Sequence, residues 1–285
     1  MTLTVNNERL QALKERIDID VEAFFLHNTP EDSVLVLDSI GPAFTRHYLL
    51  LSAIGLDRLS RFKAVHAYSG GVFALFGFLG FTSGNAQLAY EDFLVAGTER
   101  KFREFHHPKS LGPMRVMYNL MRYKSAFLST KPIIDSLEYI FKPEYLSRTL
   151  KSFPSNIRIH LGDKIKREIA VVKSDAIQDF GTASIKDLIA LATKVPFVYG
   201  DRTHSDRYFD AAFSKSYRKD LHETLATGRA TLVSTPWKSG ERGSIRYVKC
   251  VEHTNAKHKM LGDFTRLLLN LPIRDWGQDI AMAFG

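Results

Sequence analysis

Two successive units of strand, tight turn and helix fill residues 33–78, and they restrict the fold more than any other feature of the chain. Ser33-Val-Leu-Val-Leu-Asp38 is a run of β-formers, apolar from Val34 to Leu37, which suits a strand buried on both faces of a sheet. Gly41-Pro42 breaks it, and helical spacing resumes from Ala43 to Ile54. The pattern then repeats: Phe62 to Tyr68 reads as a strand, Ser69-Gly70-Gly71 as a sharp turn and Val72 to Phe78 as a helix. Alternation of this kind implies right-handed crossovers and a parallel sheet. Functional residues in such sheets gather at the carboxyl ends of the strands, where both turns fall.

The rest of the chain fits around that centre. Leu10, Leu13, Ile17, Val21, Phe24 and Phe25 recur at helical spacing, so an amphipathic helix is expected over Glu8–His27, ended by Pro30. From Asn85 to Leu150 the pattern is helical with interruptions at Pro108, Pro113, Pro132 and Pro143, which reads as a helical insertion. Residues 156–161 and 168–173 read as a hairpin turning at Gly162-Asp163. A short helix is expected over Ser184–Lys194, a short strand or turn over Tyr208–Phe213 and a helix over Tyr217–Thr227. Strands follow at Thr231–Thr235 and Ile245–Val251, and a closing helix at Ala256–Leu271. Neither a repeat nor a linker-like stretch divides the chain, so one α/β domain over residues 1–285 is expected, with a mostly parallel central sheet and the insertion at about 85–150.

Composition excludes several classes. Hydrophobic residues at 45% and charged residues at 25% are values of an ordinary globular chain, without the bias of disorder. The longest apolar run, Gly70–Phe81, is about half of the roughly 20 residues that span a bilayer. Residues 1–16 are polar and charged, unlike a secretory signal, and the single Cys250 forms no internal disulfide, so a reducing, cytoplasmic setting is expected. Cys250 reads as a plain buried thiol in a strand. The formal charge of +8 favours anionic surfaces in general, and Arg100, Lys101, Arg103, Lys109, Arg115, Arg122 and Lys124 concentrate it in one helical region, a candidate contact with a membrane. Nucleic acid is not an expected partner, and the oligomeric state is open.

The chemistry is carried by Ala67-Tyr68-Ser69-Gly70-Gly71, a near match to the nucleophile elbow G-x-S-x-G with Ala in the first glycine position. A strand that turns sharply into a helix leaves no room for side chains beside the serine. The helix opening after it also brings free backbone N–H groups and a positive dipole to the hydroxyl.

Taken with its surroundings, this motif resembles the patatin-like phospholipases and acyl hydrolases. The segment Leu37-Asp38-Ser39-Ile40-Gly41-Pro42-Ala43-Phe44-Thr45-Arg46-His47 is similar to their oxyanion loop and following helix, and Ser69 stands at the family's spacing from it. Tyr208-Phe209-Asp210-Ala211-Ala212 is similar to their D-G-G or D-G-A element. The resemblance spans roughly residues 33–213. It implies a three-layer α/β fold, Ser69 as nucleophile, Asp210 as its direct base, an oxyanion hole from the N–H groups of Ser39, Ile40, Gly41 and Gly70, and an acyl lipid or acyl thioester as substrate. No metal or organic cofactor is implied.

Departures from the family are concentrated in the oxyanion loop, where Ser39 and Ile40 replace glycines and only Gly41 is kept; Ala211 also stands for a glycine. A β-branched Ile40 is expected to restrict the loop, so that Ile40→Gly would free its N–H to turn inward. Alternatives are an acyltransferase or thioesterase using the same pair, a noncatalytic scaffold on the same fold, and a Ser-Asp-His arrangement drawing on His253 or His258. His47 and His66 read as hydrogen-bonded structural residues, Asp163 as a hairpin residue, and His106-His107 lack the i, i+4 spacing of metal ligands.

Overall fold

The computed structural model describes residues 2–87, 128–129, 137–174, 180, 182–195, 199–200, 207–251 and 282–284. Helix α1 (Thr2–Phe25) leads into β1 (Ser33–Leu37), α2 (Arg46–Arg61), β2 (Ala64–Tyr68) and α3 (Gly70–Thr82). There follow β3 (Leu128–Ser129), α4 (Pro143–Leu146), β4 (Ile157–Asp163), β5 (Glu168–Lys173), α5 (Ile185–Ala192), β6 (Tyr199–Gly200) and β7 (Tyr208–Asp210). The described chain continues with α6 (Tyr217–Leu225), β8 (Ala230–Thr235), β9 (Gly240–Arg242) and β10 (Ile245–Lys249).

Eight strands form one mixed sheet in the order β5-β4-β2-β1-β8-β10-β9, with β7 beside β4, while β3 and β6 pair with each other. β4, β2, β1, β8 and β10 run parallel; β5, β7 and β9 are antiparallel to their neighbours. The apolar run of β1 has the double burial expected of a central strand. Leu35 and Leu37 enter the large core with α1, α2, α3 and α5, whereas Val34 and Val36 face the opposite side with Tyr68, Val233, Tyr247 and the α6 residues Tyr217, Leu221 and Leu225. The result is three layers, helix, sheet and helix.

Helix α1 buries the stripe Leu10, Leu13, Ile17, Val21 and Phe24, and α3 is buried on all sides from Gly70 to Gly80, as its unbroken hydrophobicity requires. Ser184 caps α5 through a capping box with Asp187, each side chain bonding the other's backbone N–H. Beyond that helix the Lys194 carbonyl accepts from the Asp210 N–H at 3.0 Å, which ties α5 to β7.

One expected turn is displaced. The hairpin of β4 and β5 turns at Lys164–Arg167, with Arg167 at φ 58°, and Gly162 and Asp163 belong to β4. The Phe209 ring explains the glycine: a Cβ on Gly162 would lie 2.6 Å from it. Asp163 is still the hairpin residue, accepting from the Ile165 and Lys166 N–H groups through Oδ1 and from Arg207 through Oδ2. Most of the expected insertion, the basic segment Arg100–Lys124, His106-His107, His253, His258 and the helix expected at Ala256–Leu271 lie outside the described residues. Among the described residues no helix is long and apolar enough to cross a membrane.

Candidate active site

The register of β4 brings the site together. Tyr68, the last residue of β2, pairs with His160, and the next position on β4, Leu161, pairs with Asp210 of β7. Since β5 pairs along the other edge of β4 up to Asp163, β2 and β7 must share one edge, β7 taking over where β2 turns away. Ser69 and Asp210 are therefore consecutive neighbours along one strand, though 141 positions apart in the chain.

Ser69 has φ 50° and ψ −124°, a backbone conformation that L residues rarely adopt and that costs on the order of 1–3 kcal/mol. Close packing enforces it. A Cβ on Gly71 would lie 2.7 Å from the Leu37 carbonyl oxygen, and one on Gly70 would lie 2.7 Å from the Gly41 carbonyl oxygen and 3.4 Å from the Gly41 nitrogen. The turn thus sits against β1 and its following loop, with the small residues where the elbow needs them. Although serine is a favoured helix cap, the Ser69 hydroxyl does not cap α3. It donates to Asp210 Oδ2 at 2.6 Å, with both residues buried.

Asp210 Oδ1 accepts from the Ala212 N–H at 3.0 Å. Burial of the carboxylate raises its pKa to about 7; the Ser69 hydroxyl and the Ala212 N–H pull in the opposite direction without cancelling the loss of water. Such a carboxyl group can exchange a proton near neutral pH, which suits a general base.

The loop after β1 is placed as expected, but its donors are not all free. Gly41, the one glycine kept there, has φ 56° and lies against Gly70. Ile40 has φ −132° and ψ −4°, accessible to any L residue, and its side chain is fully buried in the main core. It anchors the loop instead of straining it, contrary to expectation. The Ser39 N–H donates to Asp38 Oδ1 at 2.7 Å, so in this conformation it is committed to that carboxylate, while the Gly41 backbone lies against Gly70, the residue after Ser69.

The residue that sequence reasoning passed over is Asp38, 4% exposed at the end of β1. Besides Ser39, it accepts from the Tyr217 hydroxyl through Oδ1 and from Thr235 Oγ1 at 2.7 Å through Oδ2. Burial pushes its carboxyl above the usual range, with those donors working against the rise. Its carbonyl accepts from His47 Nε2 at 2.9 Å. Burial lowers the pKa of His47 to about 4, so the ring is neutral and protonated at Nε2, and Nδ1 accepts from Ser234 Oγ at 2.7 Å. The signal available in the sequence was an acid closing the apolar run Val34–Leu37, which must find donors on burial.

Beneath α6 a second polar group fixes that helix to the sheet. Asp220 Oδ2 accepts from the Tyr68 hydroxyl at 2.8 Å and from His160 Nδ1 at 2.8 Å, while His160 Nε2 meets His66 Nδ1 at 2.8 Å. Burial lowers the pKa of both histidines, and both rings are held in this hydrogen-bonded chain between the sheet and α6. Cys250 is a buried thiol pushed up to about 12 by burial. No group of metal-binding side chains is found among the described residues.

No protein-family model matches the chain, and no curated protein sequence matches it.

Proposed function

We propose that this chain is a serine acyl hydrolase of the patatin type, acting on acyl esters of lipids or on acyl thioesters through a Ser69–Asp210 pair. The observation that carries the reading is the buried 2.6 Å hydrogen bond from a serine at positive φ to a carboxylate whose pKa stands near 7.

Ser69 Oγ attacks the acyl carbonyl carbon as Asp210 Oδ2 takes the hydroxyl proton. The N–H groups of Gly41, Gly70 and Ile40 bond the oxygen as it gains charge. When the tetrahedral intermediate collapses, the carbon–oxygen or carbon–sulfur bond to the leaving group breaks, and Asp210 returns the proton to the departing alcohol or thiol. An acyl-Ser69 ester remains. Asp210 then takes a proton from water, whose oxygen attacks that ester; as the bond from the acyl carbon to Ser69 Oγ breaks, Asp210 passes the proton to Oγ, releasing the carboxylic acid and restoring Ser69 and the carboxylate. Neighbouring dipoles stabilise the charges, and the residues named require no metal or organic group.

The experiment is turnover of short-chain esters, an acyl thioester and a lysophospholipid by the wild-type chain and by Ser69→Ala. Wild-type hydrolysis that disappears in a folded Ser69→Ala supports the reading. No hydrolysis of any of them by wild type, or equal hydrolysis by Ser69→Ala, overturns it.

A further inference from the structure

Large apolar side chains stand out in solvent at six described positions, and they fall into two kinds. Ile19 lies between Asp18 and Asp20 on α1, Leu26 follows that helix, and Leu56 on α2 precedes Asp57. By contrast, Ile165, Phe213 and Trp237 all keep company with cations: Lys164-Ile165-Lys166-Arg167, Phe213-Ser214-Lys215 and Trp237-Lys238. Ile165 is 73% exposed, Phe213 56% and Trp237 50%, and the five adjoining cations are exposed as well.

Topology puts this second group around the candidate site. Ile165 follows β4 and Trp237 follows β8, both parallel to β2, so they leave the sheet at the end where β2 turns into Ser69. Phe213 stands three residues beyond Asp210. The segments are linked: Ser216 Oγ donates to the Arg167 carbonyl at 2.9 Å, and the next residue, Tyr217, bonds Asp38, which also holds Thr235, two residues before Trp237. Within the turn after β4, Asp163 is engaged with Arg207, which leaves Glu168 as the acid beside three exposed cations.

We propose that this rim is the face by which the protein seats on an anionic lipid bilayer, with Ile165, Phe213 and Trp237 entering the headgroup layer and Lys164, Lys166 and Lys215 meeting lipid phosphates. A protein partner is a poorer fit, since the cores of protein interfaces are continuous and depleted of lysine, whereas here single apolar tips alternate with lysines. That alternation suits shallow insertion combined with attraction to anionic headgroups, and tryptophan favours the boundary between water and hydrocarbon. The choice of lipid rests on the acyl-lipid reading of the site, toward which a seated bilayer would present its acyl esters.

Sedimentation of the full chain with vesicles of phosphatidylcholine, alone or mixed with phosphatidylserine, tests the proposal, and hydrolysis of a water-soluble short-chain ester is followed in parallel. Binding is expected to the mixed vesicles and to fall with salt. Lys164→Ser and Lys166→Ser are each expected to weaken it about fivefold. Ile165→Ser, on an exposed turn, is expected to weaken it severalfold while soluble-ester turnover and the melting temperature stay unchanged, and Trp237→Ser should act in the same direction. Equal partition to both vesicle types, or mixed-vesicle binding indifferent to these substitutions, overturns the proposal. The two readings fail separately: absent ester turnover rejects the hydrolase without touching the vesicle result, and absent vesicle binding rejects the rim without touching turnover of the soluble ester.

Discussion

The hydroxyl of Tyr217 donates to the carboxylate of Asp38, fastening the segment that follows Asp210 to the loop that follows β1. The proposed base, Asp210, lies on one side of this link and the proposed oxyanion loop on the other, so the pair sets their relative position. Tyr217→Phe removes the donor while keeping a ring against Tyr68, whose centroid is 5.5 Å away. The expected outcome is a kcat reduced about tenfold with KM nearly unchanged, since the loop loses aim and not substrate contacts. Asp38→Asn keeps an acceptor for Ser39 and Tyr217 and is expected to retain most activity, whereas Asp38→Ala is not. A proportionate rise in KM for all three variants would contradict the positioning role.

Replacing Ile40 by glycine is expected to harm the protein. Its dihedral angles need no glycine, and its fully buried side chain fills the core, so Ile40→Gly should cost about 4 kcal/mol of stability and lower turnover. Chemical denaturation and ester hydrolysis check both halves. Undiminished stability with faster turnover would restore the view that Ile40 restrains the loop.

Several of these relationships were legible in the sequence and others were not. The strands at 33–37 and 64–68 and the sharp turn at Ser69 followed from local patterns, whereas the pairing of Ser69 with Asp210, 141 positions away, came from the family resemblance. The hairpin turn was misplaced because Gly162 looks like a turn residue until the Phe209 ring is seen to occupy the place of its side chain. Asp38 was overlooked for a similar reason. Its partners Tyr217 and Thr235 lie 179 and 197 positions away, and no local pattern announces a bond to them. The misjudgement of Ile40 came from taking family glycines as a requirement at each loop position, when only Gly41 has a positive φ there.

Asp210 is expected to be costly to the fold at alkaline pH. Its pKa is about 7 in the native state, against about 4 in an unfolded chain, so the native state binds more protons between those values. Stability from this group is therefore greatest below about pH 4 and declines as pH rises to about 7, by on the order of 4 kcal/mol at most. Asp210→Asn, which carries no charge, should melt several degrees higher than wild type at pH 8, and the gap should close toward pH 4 while acyl hydrolysis is lost throughout. A lower melting temperature for the variant at pH 8 would contradict the assignment.

The most direct measurement is covalent labelling of the wild-type chain by a fluorophosphonate, with the modified residue located by mass spectrometry and the rate followed against pH. The account predicts one phosphonylated residue, Ser69, a rate that rises through about pH 7 as Asp210 ionises, and loss of labelling in Ser69→Ala and Asp210→Asn. An unmodified Ser69 in folded wild-type protein, or a rate that does not depend on Asp210, would contradict it.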